Sequence, residues 1–143
     1  MNIRPLNILG LVISRLLILV ALSVCQFLPL QAASLEDLGY TTTNGKVTIT
    51  DCDEAATGEL VIPPTVKDNP VTSIGELAFG NCFSLTKITI PDSVASIGDS
   101  AFLSCFSLTN IRIGNAVSNI GESAFVDCFS LTSITFQGAA PTV

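Results

Sequence analysis

The 143-residue sequence has no histidine, no tryptophan, one tyrosine, one methionine and only 6 basic side chains. Without histidine there is no Ser-His-Asp triad, no Cys-His pair and no His-ligated zinc site. The Ser, Asp and Glu that remain are scattered, and none is paired as nucleophile and base. The sequence therefore reads as a non-enzyme with no cofactor. Its length allows one domain at most. Ten glycines and seven prolines imply many turns and little long helix.

The amino-terminal segment stands apart from the rest. Met1-Asn2-Ile3-Arg4 and Arg15 are followed by the uncharged run Leu16-Leu17-Ile18-Leu19-Val20-Ala21-Leu22-Ser23-Val24. A polar-leaning stretch over 26–33 follows, broken by Pro29 and ending Gln31-Ala32-Ala33. A basic start, an apolar centre and small residues at the cut make a secretory signal over 1–33. Two other readings stay open. Residues 6–24 approach the ~20 positions a spanning anchor needs, but contain Asn7 and Arg15. Cys25 could close a lipoprotein signal, although Val24 is larger than the residue usual before such a cysteine. Export to the cell surface or medium is expected, with membrane attachment only if the segment is retained.

Without residues 1–33, four basic side chains face all 12 acidic ones, a net charge of −8. So acidic a domain is repelled by phosphate backbones, which argues against nucleic acid as a partner.

Three blocks align without a gap: 74–96, 97–119 and 120–142. Ten of their 23 positions are identical. In the middle block these are Ile97, Gly98, Ala101, Phe102, Cys105, Phe106, Ser107, Leu108, Thr109 and Ile111. A half repeat occupies 59–73, where Leu60-Val61-Ile62-Pro63 matches Ile88-Thr89-Ile90-Pro91 ahead of an insertion over 67–71. A 23-residue period lies in the leucine-rich-repeat range. The spacing Leu85-x-x-Ile88-x-Ile90 ends in two-residue alternation, a strand with one buried face. Leu108, Ile111 and Ile113 repeat it, as do Leu131, Ile134 and Phe136. The expected fold is a leucine-rich-repeat solenoid, with one strand and a short helix or turn per coil. No coil can bury its own apolar face, so stacking makes the core.

These blocks resemble the BspA-like subclass of leucine-rich repeats. The marks are Ala-Phe, a cysteine after two intervening residues, Ser-Leu-Thr-x-Ile-x-Ile-Pro, and Val before Ile-Gly; they cover 59–142. The resemblance implies a bacterial secreted or surface protein, or one from a parasitic protist, acting in adhesion. It carries no catalytic motif, so it implies a surface and not an active site.

The region 34–58 fits an amino-terminal cap. Two β-rich runs flank Asn44-Gly45, the dipeptide that favours a tight hairpin because both central residues need positive φ. A hairpin there would cover the open end of the first coil. At the other end the repeats of 59–143 stop just after the third strand. Leu131, Ile134 and Phe136 are expected to form an open rim, either covered by another element, truncated, or available for self-association.

Several residues are candidates for chemistry. Cys82, Cys105 and Cys128 occupy one position on successive coils and read as buried small hydrophobes. Coils stack about 5 Å apart, inside the disulfide window, but the side chains should point in parallel. Nothing supplies a fourth ligand in register, so no metal site is expected. Cys52 falls outside this ladder, and Cys52–Cys82 is the one disulfide pairing to test. Asp51-Cys52-Asp53-Glu54 lacks the spaced carboxylates of a calcium loop, with Gly58 too late for the bend, and reads as a solvated turn. Phe79, Phe102 and Phe125 read as core. Phe83, Phe106 and Phe129 form a second column, either an outer aromatic stripe or a cover for the core's edge.

The outward strand positions form two more columns: Glu59, Lys87, Asn110 and Ser133, then Val61, Thr89, Arg112 and Thr135. Glu59 and Lys87 should sit opposite each other. Four strands at ~4.8 Å, each ~12 Å long, give about 230 Å², against about 800 Å² per partner in a standard interface. The expected function is a secreted or cell-surface module that binds protein or glycan through these two columns and the Phe83, Phe106 and Phe129 stripe. The alternative is a non-catalytic spacer within a larger envelope protein.

Overall fold

The computed structural model describes residues 32–139 and 141. The expected signal segment, 1–33, lies outside the described residues except at Ala32 and Ala33. Ten short strands build about four coils of a β-solenoid. They are β1 Leu38–Thr43, β2 Lys46–Cys52, β3 Gly58–Val61, β4 Thr65–Val66, β5 Asn69–Ile74, β6 Leu85–Thr89, β7 Ser96–Ile97, β8 Asn110–Ile113, β9 Asn119–Ile120 and β10 Ser133–Phe136.

The repeat strands make one parallel sheet in the order β10-β8-β6-β3. Its register follows the period. Glu59 pairs with Lys87, Lys87 with Asn110, and Asn110 with Ser133. Val61, Thr89, Arg112 and Thr135 form the next column. The alternate positions turn inward, and Leu60, Ile88, Ile90, Ile111 and Ile113 are buried. Their period of two is why one face of each strand is core and the other is display.

A second sheet runs β1-β2-β5-β7-β9, with β4 attached to β5. Each full coil thus carries a further two-residue strand that the repeat pattern did not announce. Ile74, Ile97 and Ile120 stand in register on this sheet. Each is followed by a glycine, and the reason is steric. A Cβ on Gly98 would lie 2.6 Å from the backbone nitrogen of Glu76.

The return path between the sheets is made of turns. The only helical segment among the described residues is the 3₁₀ turn Leu35–Asp37. Leu77, Ser100 and Ser123 have φ near +55° (55, 50 and 54), and Asn81, Ser104 and Asp127 have φ of 62, 58 and 59. Two left-handed residues per coil stop any helix from propagating. The turns are tied coil to coil: Phe79 N–H donates to Ala101 O at 2.7 Å and Phe102 N–H to Ala124 O at 2.8 Å. The repeated threonines add side-chain ties, with Thr109 Oγ1 donating to Thr86 O and Thr132 Oγ1 to Thr109 O.

The hairpin forms where expected. Asn44 and Gly45 have φ of 51 and 70, and β1 pairs antiparallel with β2. Strand β2 then pairs in parallel with β5, placing Val47 opposite Val71 and Ile49 opposite Ile74. The hairpin therefore extends the second sheet and buries Val47 and Ile49 in the common core. The insertion after the half repeat is a second hairpin, β4–β5, turned by Lys67 and Asp68 at φ 48 and 64.

Candidate functional site

The outer face of the four-stranded sheet carries a cavity of about 620 Å³, lined by residues of both outward columns and by Gln137. Lys87 Nζ lies 2.8 Å from Glu59 Oε1, with both side chains nearly half exposed. A pair so placed contributes roughly 0.2–1 kcal/mol. Arg112 Nη2 donates to Gln137 Oε1 at 2.8 Å. The Asn110 side-chain amide lies 2.8 Å from Thr109 Oγ1. The face is thus polar, held in register by backbone pairing, and free of buried polar atoms without a partner among the described residues. The sequence pattern placed the eight column residues but not Gln137. It sits one residue past β10, one period beyond Gly114, where strand alternation gives no signal.

The phenylalanines form two stacks. In the core, Phe79, Phe102 and Phe125 stack with centroids 5.0 and 5.4 Å apart. Outside, Phe83, Phe106 and Phe129 stack at 5.1 and 5.7 Å. Phe83 and Phe106 are 41% and 43% exposed and Phe129 is 80% exposed. The outer column is thus an exposed aromatic stripe, and none of its three rings is among the hydrophobics packed against the core. Phe106 is sandwiched between the other two rings, whereas Phe129, at the end of the stack, is the most exposed, and the stripe suits apolar contact with a partner.

The cysteines differ from expectation in one respect. Cys82 and Cys105 are buried and Cys128 is half-buried, all as free thiols. Cys105 Sγ donates to Phe79 O and Cys128 Sγ to Phe102 O, both at 3.1 Å. Cys52, expected outside the ladder, lies at its head: Cys82 Sγ donates to Cys52 O at 3.8 Å. Strand β2 brings it there by pairing with β5, a contact no local pattern encodes. Its own thiol is free. Contact with Cys82, then burial, pushes the Cys52 thiol far up from its ordinary value. Contact with Cys128, then burial, does the same to Cys105.

Asp51, Asp53 and Glu54 are exposed, and the fold adds Glu36 and Asp37 to them around a cavity of about 670 Å³. Asp53 Oδ1 accepts from Ala55 N–H at 2.8 Å and Asp37 Oδ2 from Ser34 N–H at 2.6 Å, so these carboxylates serve local turns. Among the described residues no group of three or more acidic, cysteine or histidine side chains is arranged to hold a metal ion. None of their helices is long and apolar enough to cross a membrane. In the last coil Leu131 and Phe136 are half-buried and Ile134 is exposed.

A parallel sheet of one strand per 23-residue coil, backed by stacked phenylalanines and thiols, defines a leucine-rich-repeat solenoid. The chain belongs to the BspA type leucine-rich repeat family, whose six-copy model matches residues 59–142. A leucine-rich repeat protein from Bacteroides ovatus is 36% identical over 68% of this chain and 27% of its own, with a TM-score of 0.58. A leucine-rich cell surface protein from Faecalibacterium prausnitzii is 30% identical over 74% of this chain and 32% of its own, with a TM-score of 0.60. A leucine-rich repeat protein from Bacteroides capillosus is 28% identical over 71% of this chain and 95% of its own, with a TM-score of 0.50. The chain thus spans about a third or less of the first two neighbours' length. It has no match among curated proteins.

Proposed function

We propose that this protein is a non-catalytic binding module of the cell surface or extracellular medium, acting on protein or glycan. The observation that carries this reading is the repetition of display: two outward columns on one sheet face, and an exposed phenylalanine column beside them, all fixed by coil-to-coil register. The family match supports it, and so does the likeness to the F. prausnitzii leucine-rich cell surface protein. The small face implies weak single-site binding, which many copies or a longer array strengthen by avidity.

The second reading is a spacer in a larger envelope protein. The length of the first two neighbours favours it. One experiment separates the readings: titration of the protein onto an immobilised extracellular-matrix extract and a glycan array, beside a variant with Phe83, Phe106 and Phe129 changed to Ser. The binding-module reading predicts saturable binding that the triple variant loses. Absence of saturable binding to either support sinks it in favour of the spacer.

A further inference from the structure

The outer sheet face is electrically unlike the rest of the chain. Lys87 and Arg112 line its cavity, whereas Lys46 and Lys67, the other basic residues of 32–139, do not. Glu59 is the one carboxylate among its described lining residues, and Lys87 holds it at 2.8 Å. Arg112 is held by Gln137, a neutral amide. An amide oxygen orients a guanidinium without cancelling its charge. Two cations and one anion leave this lining at +1, on a chain where acidic residues outnumber basic ones 12 to 6. Thr89 and Thr135 flank Arg112 in register on either side, and each hydroxyl both donates and accepts.

We infer that this face takes an acidic peptide segment, with a carboxylate seated on the Arg112 guanidinium. The inference rests on the binding-module reading and names its ligand. A guanidinium presents a planar fork that a carboxylate fills bidentately. The threonine hydroxyls and Asn110 supply the donors and acceptors that a peptide backbone requires. A sugar has no platform here, because no lining residue is aromatic. The outer phenylalanine rings are not among its lining residues. A face of about 230 Å² suits a short segment better than a folded partner. Charges beyond about 8 Å are largely screened at physiological ionic strength, so the local guanidinium outweighs the net charge.

The test is anisotropy titration of the full chain with fluorescein-labelled hexa-glutamate and hexa-glutamine peptides, at physiological and at high salt. The variants are Arg112→Gln and, as a control cation elsewhere, Lys46→Gln. Expected are binding of hexa-glutamate at physiological ionic strength, loss of at least about tenfold in affinity with Arg112→Gln, no change with Lys46→Gln, and no binding of hexa-glutamine. Equal binding of the two peptides, retention by Arg112→Gln, or no binding of hexa-glutamate overturns the inference. Tighter, Arg112-dependent binding of polygalacturonate also overturns it, in favour of an acidic polysaccharide. Matrix binding that survives Arg112→Gln but not the triple phenylalanine variant ends this inference and leaves the binding-module reading standing. If no probe binds and neither surface matters, both fall.

Discussion

The Cys105 thiol donates to the Phe79 carbonyl of the coil before it, 3.1 Å away. Contact with Cys128 and burial hold its proton in the folded state well above the ordinary value of 9.0. Cys52 is held likewise by Cys82 and burial. The unfolded chain loses these protons near pH 9, so above that pH it binds fewer protons than the fold. Stability then falls as pH rises, by at most about 1.4 kcal/mol per pH unit for Cys52 and by less for Cys105, because the contact that raises Cys105 lowers Cys128. Urea midpoints are expected to fall above about pH 9, with a shallower fall in a Cys52→Ala/Cys105→Ala variant. An unchanged slope in that variant contradicts the assignment.

Thiol accessibility follows the same column. Cys128 is half-buried, whereas Cys52, Cys82 and Cys105 are buried. Iodoacetamide on the folded protein at neutral pH should label Cys128 first and the other three only on unfolding. Peptide mapping by mass spectrometry reads the order. Prior labelling of Cys105 contradicts it.

Gly98 is required by close approach and not by φ. A Cβ there meets the Glu76 nitrogen at 2.6 Å and the Gly75 carbonyl carbon at 2.7 Å, both backbone atoms that cannot step aside. Gly98→Ala should cost about 2 kcal/mol or more by forcing adjacent coils apart. Thermal unfolding checks it.

Leu77 is the opposite case. It holds φ 55 where the equivalent positions carry Ser100 and Ser123, and it is 48% exposed. A leucine pays about 1–2 kcal/mol in that region and recovers little by burial. Leu77→Gly should stabilise by about 0.5–1 kcal/mol, after glycine's own entropic cost. A lower denaturation midpoint contradicts this.

Much of the fold was legible because in-register parallel stacking turns a sequence period directly into columns. Thr89, Arg112 and Thr135 in line needed only the count of 23, and Glu59 opposite Lys87, 28 residues apart, needed in addition the match of Leu60-Val61-Ile62-Pro63 to Ile88-Thr89-Ile90-Pro91 across the five-residue insertion. What escaped was short or non-local. Ser96–Ile97 and Asn119–Ile120 are two-residue strands, below the length at which alternation shows. The Lys67-Asp68 turn lacks the Asn-Gly signature that exposed the first hairpin. Cys52 reaches the thiol column only because β2 pairs with β5. The outer phenylalanines were ambiguous because their exposure depends on how each coil turns onto its strand, which composition does not report.

The central claim is that the fold carries the columns while the columns carry the binding. Two variants test it: Lys87, Asn110 and Ser133 all changed to Ala, and Thr89, Arg112 and Thr135 all changed to Ala. These side chains point outward and make no core contact, so melting temperatures should stay within a few degrees of the wild type. Saturation binding to the immobilised matrix extract, measured on the same samples, should fall by at least about tenfold in the second variant. Unchanged binding in both variants, with intact folding, would contradict the account.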